Sequence, residues 1–187
     1  LRMIANAAGG LFPSLVQELR STFQANVLPS YGMTECMPIS SPPFNYKLEK
    51  PGTSGVAVGP EITIFSNNFE ILPPGSEGNI CVRGRPCFHG YGGHDPDDCF
   101  LEGGWFNTGD LGYLDKDGYL YITGRSKEVI NRGGEIISPM EVEEEVRHHP
   151  NVKECIAFSA PHDVLQETVG IVVVPNPQLP KIDLPSL

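Results

Sequence analysis

Between Pro51 and Ile122 the chain falls into short runs rich in β-branched and aromatic side chains, most of them separated by Gly and Pro. Such a pattern reads as short strands joined by tight turns rather than as long helices. Strands are expected over 55–58, 61–65, 69–72 and 79–83, with Pro73-Pro74-Gly75 as a turn. Residues 111–114 and 119–122 flank Asp115-Lys116-Asp117-Gly118, a strong hairpin signal. The middle of the chain is therefore expected to be a small, strongly bent sheet.

The flanks differ. Residues 1–4 read as a strand, followed by the small-residue turn Asn6-Ala7-Ala8-Gly9-Gly10. Phe12, Leu15, Val16, Leu19 and Phe23 then recur at helical spacing, with Pro13 suited to a first turn. A strand over 25–28 empties into Pro29-Ser30-Tyr31-Gly32-Met33-Thr34-Glu35, and this strand–helix–strand order belongs to an α/β layer. Beyond the middle, Gly124-Arg125-Ser126-Lys127 breaks the β pattern. Ser138-Pro139-Met140-Glu141 reads as a capping box that Ile137 can staple through Val142. That helix is expected to run to about His148 and stop at Pro150, with strands near 152–158 and 169–174. A strand–helix–strand piece of this size is too small to close a core and fits a truncated small domain.

The chain of 187 residues carries 13 Lys and Arg against 23 Asp and Glu, a formal net charge of -10. That field disfavours nucleic acid and anionic membranes as partners, though a local set of donors can still bind a small anion. Five irregularly spaced cysteines (Cys36, Cys81, Cys87, Cys99, Cys155) argue for a reducing compartment rather than a disulfide framework. No apolar run approaches the roughly 20 residues of a membrane span. The opening at Leu1 inside a strand and the close in the proline-rich stretch from Pro175 to Leu187 read as cut ends of a longer protein.

Three clusters carry chemistry. Tyr31-Gly32-Met33-Thr34-Glu35 follows a strand, where α/β sheets bind ligands. It offers an aromatic to stack on a base, a glycine for close approach, a hydroxyl for a phosphate and a carboxylate for Mg²⁺. Gly104-Trp105-Phe106-Asn107-Thr108-Gly109-Asp110 ends on a carboxylate suited to a ribose diol, or is simply a tight turn before residue 111. Gly124-Arg125-Ser126-Lys127 through Asn131-Arg132-Gly133-Gly134-Glu135 supplies cations and a glycine pair, or is a linker and hairpin with a solvated surface.

In this order and spacing the three clusters resemble the consecutive core motifs of the adenylate-forming superfamily of acyl-CoA synthetases, peptide-synthetase adenylation domains and beetle luciferase. Lys50-Pro51-Gly52-Thr53-Ser54-Gly55, Gly78-Asn79-Ile80-Cys81-Val82-Arg83-Gly84 and Gly90-Tyr91 match its linking motifs, so that the resemblance runs from about Ala5 to Val174. The stretch from Ile130 to Glu143 is most similar to the acyl-CoA synthetase branch and, within it, to oxalate–CoA ligases. The resemblance implies a mixed α/β fold in which residues 1–124 end a large AMP-binding domain with a β-rich subdomain at 51–124. Residues 125–187 would then begin a truncated small α+β domain.

The implied roles follow position by position. Gly9 and Gly10, with Ala8, would lie beside the adenine and acyl pocket, where Tyr31 and Gly32 meet the adenine. Thr34 would bind the α-phosphate and Glu35 would hold Mg²⁺. Asp110 would accept from the ribose hydroxyls, and Arg125 would reach ribose and phosphate. Lys127 would be the hinge residue between the domains, and Gly133 and Gly134 would line the pantetheine arm of coenzyme A. The implied reaction joins a small carboxylic acid to coenzyme A with ATP, in the cytoplasm or a peroxisome. A carrier protein as acceptor, or a non-catalytic nucleotide-binding module, are the alternatives. The family's phosphate loop and its catalytic lysine both fall outside this stretch, so the resemblance implies an inactive fragment of an active parent.

Other arrangements are weaker. Cys87-Phe88-His89 with His94 and Cys99 fits no familiar zinc spacing. Asp115-Lys116-Asp117-Gly118 lacks the later ligands of a calcium loop. Lys181 lacks the surroundings of the catalytic lysine, and His148-His149 suits a helix C-terminus. Met33, Cys36 and Met37 are expected to line one wall of the acyl pocket.

Overall fold

The computed structural model describes residues 1–7, 11–93 and 99–179, and the chain divides into two compact units, Leu1–Ile122 and Thr123–Leu187. The first begins with β1 (Met3–Asn6), α1 (Pro13–Phe23) and β2 (Asn26–Pro29), with β1 and β2 parallel and the helix as the crossover. Pro13 opens α1 as its sequence position predicts, and Gln24 closes it in the left-handed conformation. Only Val16 of the helix's apolar stripe is fully buried, while Leu15 and Phe23 remain exposed.

A hairpin follows, β3 (Tyr31–Met33) and β4 (Cys36–Ser41), with β5 (Val56–Ala57) at its edge. Next comes a four-stranded antiparallel sheet in the order β6 (Glu61–Phe65), β7 (Gly78–Arg83), β8 (Phe106–Leu114) and β9 (Leu120–Arg125). Interior strand β7 is buried on both faces. Ile80 packs with Ile64 and Leu120, Val82 packs with Cys36, Ile39, Cys87 and Phe106, and Cys81 turns the other way onto Phe65 and Trp105. Each such side chain removed from water contributes about 1.5–3 kcal/mol.

The expected strand over 69–72 is not formed. Ser66 Oγ accepts from the backbone N–H groups of Asn68 and Glu70, and Phe69 sits at φ 61°, so the chain turns there and leaves only an isolated bridge from Ile71 to Phe65. Nor do residues 124–127 end the β pattern at once, since β9 continues to Arg125.

The linking motif at residues 50–55 braces the β8–β9 hairpin. Lys50 Nζ bonds the Asp115 carboxylate and lies 2.7 Å from Asp117 Oδ2. Thr53 Oγ1 donates to Leu120 O at 2.8 Å, and Leu120 N donates to Gly55 O at 2.8 Å. Gly55 stands at φ 89° with the Ser41 carbonyl carbon 2.0 Å from where a Cβ would be, so no other residue fits.

The second unit holds β10 (Ile130–Arg132), β11 (Glu135–Ile137), α2 (Pro139–Arg147), β12 (Val152–His162) and β13 (Gln166–Pro175), with sheet order β11-β10-β13-β12. Ser138 caps α2, accepting from Glu141 N while its hydroxyl donates to Thr123 O. After the helix comes one long hairpin rather than two short separate strands, since β12 and β13 pair from Val152 to His162. Cys155 and Ala157 are buried, whereas Ile156, Phe158, Val172 and Val174 on the alternate positions are exposed.

Candidate nucleotide-binding site

Thr34 and Glu35 are the two residues of the tight β3–β4 turn, bounded by the pair Met33↔Cys36. They therefore stand on the tip of a further hairpin rather than directly after the strand expected over 25–28. The Thr34 side chain is exposed. Glu35 is held from a second segment: its carbonyl accepts from Phe88 N at 2.7 Å, and its Oε1 accepts from the Tyr91 hydroxyl at 2.9 Å.

Asp110 reaches the same region of the first unit by a different device. It lies inside β8 and not in a turn before it. Between the register pairs Cys81↔Asn107 and Asn79↔Leu111, Thr108, Gly109 and Asp110 stand opposite Ile80 alone. Such a bulge re-aims side chains at functional positions. Gly109 at φ 78° supplies the left-handed residue, and Thr108 Oγ1 donates to Ile80 O at 2.8 Å while accepting from Asp110 N at 3.1 Å. Asp110 is only 7% exposed, and the Tyr31 hydroxyl donates to its Oδ2. The structure thus brings Tyr31 and Asp110 together, with Tyr31 also packed against two core clusters.

Gly32 lies beneath Met37, whose Sδ is 2.3 Å from the position of an added Cβ, so a side chain there would displace it. The expected acyl-pocket wall is not formed as a set. Cys36 is fully buried in the core, Met33 packs against that core, and Met37 is 61% exposed. Strand alternation sends Cys36 inward and Met37 outward. Gly9 and Gly10, with Ala8, lie outside the described residues.

In the second unit, Arg125 ends β9 with its guanidinium 3.8 Å from Glu128, both side chains being about two-thirds exposed. Lys127 is exposed on the turn that follows. Gly133 and Gly134 form the β10–β11 turn at φ 63° and 100°; Gly133 N donates to Leu165 O at 2.9 Å, and an added Cβ on Gly134 would meet nothing within 4 Å. The turn's positive φ values favour glycine at both positions, but only Gly134 opens on free space, since a Cβ on Gly133 would lie 3.1 Å from Leu165 Cδ2.

Cys36 and Cys87 face each other with sulfurs 3.3 Å apart, and burial, followed by the neighbouring thiol, pushes Cys36 up to about 12. Cys87 is thereby accounted for as a core residue. His94 lies outside the described residues, and among those described no group of three or more His, Cys, Asp or Glu could hold a metal.

With this geometry in view, the comparisons with known proteins agree. The AMP-binding enzyme model matches residues 1–92. An oxalate–CoA ligase of Arabidopsis thaliana is 40% identical over 179 residues, covering 94% of this chain and 35% of that protein. The ATP-bound MatB of Rhodopseudomonas palustris superposes with TM-score 0.89 at 32% identity, over 97% of this chain and 36% of that one. The o-succinylbenzoate coenzyme A synthetase of Bacillus subtilis, in complex with ATP and magnesium, gives TM-score 0.81 at 32% identity, over 92% and 36%. The chain belongs to the AMP-binding, adenylate-forming enzyme family. It spans about a third of the length of the curated relatives it matches.

Proposed function

We propose that the parent protein is an ATP-dependent carboxylate–CoA ligase, which forms an acyl-adenylate with release of pyrophosphate and then an acyl-CoA thioester. The observation that carries this is the convergence of Tyr31, Asp110 and the Thr34–Glu35 tip in one unit, within a chain 40% identical to an oxalate–CoA ligase. Residues 1–124 supply the end of the AMP-binding domain and residues 125–187 the start of the small domain. The five free thiols suit a reducing compartment, cytoplasmic or peroxisomal.

In this reading Asp110, aimed by its bulge, accepts hydrogen bonds from the ribose hydroxyls. Tyr31 packs on the adenine with Gly32 beside it, and its hydroxyl holds the Asp110 carboxylate in place. Thr34 donates to the α-phosphate from the hairpin tip, where no backbone has to move to free it. Glu35 suits Mg²⁺ by donor chemistry: one carboxylate with an open oxygen, completed by phosphate and water, is how this hard ion is commonly held. Bound there, Mg²⁺ would offset negative charge building on the phosphates as the carboxylate attacks. Arg125 serves as a further ribose and phosphate cation, Lys127 as the hinge residue, and Gly133-Gly134 as the turn past which pantetheine runs. By the motif match alone, Gly9 and Gly10 are assigned to the adenine and acyl side.

The test is product analysis. The longest natural form of the protein, given ATP, Mg²⁺, coenzyme A and a panel led by oxalate and other short diacids, should yield AMP and one acyl-CoA detectable by mass spectrometry. Formation of ADP, or no thioester from any acid, would count against the proposal. Acyl transfer only to a carrier protein would redirect it to the adenylation-domain branch.

A further inference from the structure

The segment after β7 docks onto the Thr34–Glu35 tip at three successive points. Cys87 forms an isolated bridge with Cys36, Phe88 N donates to Glu35 O at 2.7 Å, and the Tyr91 hydroxyl donates to Glu35 Oε1 at 2.9 Å. Phe88 anchors the arrangement. Its ring meets Phe106 edge-on at 5.0 Å in the core and Tyr91 edge-on at 4.8 Å on the outer side. The phenol is therefore carried by an aromatic stack rooted in the sheet. Both the backbone and the carboxylate of Glu35 are held from this one strap.

Tyr91 is 48% exposed, so water could satisfy its hydroxyl as well, and burial does not force the bond. The bond is nonetheless made, by a phenol whose ring is held edge-on against Phe88. One carboxylate oxygen is thereby occupied, and among the described residues nothing bonds the other, Oε2. This division suits a metal-ligating carboxylate, because such ligands are themselves hydrogen-bonded by outer partners that fix their orientation.

We infer that Tyr91 is a positioning residue for Glu35, taking one carboxylate oxygen so that the other is presented to the divalent cation accompanying the nucleotide. The inference rests on the ligase reading above and concerns how that site is held. Tyr91→Phe keeps the ring and its packing on Phe88 while deleting the donor. Loss of an outer partner typically weakens a metal site 10–100-fold, and the half-exposed position puts the expectation at about tenfold.

The measurement is calorimetric binding of a non-hydrolysable ATP analogue to the longest natural form of the protein, once with Mg²⁺ and once with EDTA. The ratio of the two Kd values reports the metal's share and needs no turnover. Tyr91→Phe should shrink that ratio about tenfold, and in a Glu35→Gln background the same substitution should change it no further. An unchanged ratio, an equal loss of affinity with and without Mg²⁺, or a full effect persisting beside Glu35→Gln would overturn the inference. A wild-type protein that binds the analogue under neither condition would instead refute the ligase reading on which it rests.

Discussion

The Tyr31 hydroxyl donates to Asp110 Oδ2, joining a β3 residue to a β8 bulge 79 positions away in sequence. Both belong to the expected nucleotide site, and Asp110 is buried. Tyr31→Phe removes a donor to a buried carboxylate, which should cost about 1–3 kcal/mol of stability in urea unfolding. It should also raise the KM for ATP of the longest natural form, because the ribose acceptor is no longer fixed. An unchanged unfolding midpoint would show that the bond contributes nothing to holding Asp110.

Lys50 sets a pH signature. It is pushed above the ordinary lysine range by hydrogen bonds to Asp115 and then Asp117. Partial burial raises Asp115, but Lys50 and the N–H groups of Tyr119 and Asp117 outweigh it and leave the carboxyl below its usual value. A depressed carboxylate stabilises the fold above its unfolded pKa of about 3.9 and loses that as pH falls through the folded value. A raised lysine stabilises it below about 10.4 and loses that as pH rises through its folded value. The stability gap between wild type and Lys50→Met should therefore be widest near neutrality and close at both extremes, as read from urea midpoints across pH. A gap that stays constant into strong acid would contradict the assignment.

Gly134 turns the β10–β11 hairpin at φ 100° with open space beside it. Gly134→Ala should cost about 1–2 kcal/mol, since the strain is in the backbone and not in a clash. If pantetheine passes here, the thioester-forming step should slow more than pyrophosphate exchange. Equal slowing of both would argue for a purely structural turn.

Burial pushes Cys81 and Cys36 up to about 12 and raises Cys155. Thiolate is the reactive form, so brief treatment with iodoacetamide at pH 8 should label Cys99, the partly exposed thiol, ahead of the other four. All five should react after denaturation, and a bridge surviving in denaturant without reductant would contradict free thiols.

Local signals made much of this fold legible. The apolar period with Pro13 gives α1, Ser138-Pro139 gives the start of α2, and the alternation over β6 gives Glu61–Phe65. What escaped was non-local or polar. Pro38 within β4 hid the strand that makes Thr34 and Glu35 a hairpin tip. Ser66 binding its own downstream N–H groups overrode the apolar residues at 69–72. The Asp110 bulge appears only once β7 is paired beside it, because Thr108-Gly109-Asp110 alone reads as a turn. Tyr91 was legible as part of a motif, but its bond to Glu35 spans 56 positions and no local pattern encodes it.

The proposed ligase chemistry requires adenylation, and carboxylate-dependent exchange of pyrophosphate into ATP measures that step. The longest natural form should catalyse exchange with one class of acid, short diacids first among them, and Glu35→Ala should suppress it. No exchange with short diacids, fatty acids, aromatic acids or amino acids, from a folded protein that keeps the phosphate loop and the catalytic lysine, would contradict the ligase function.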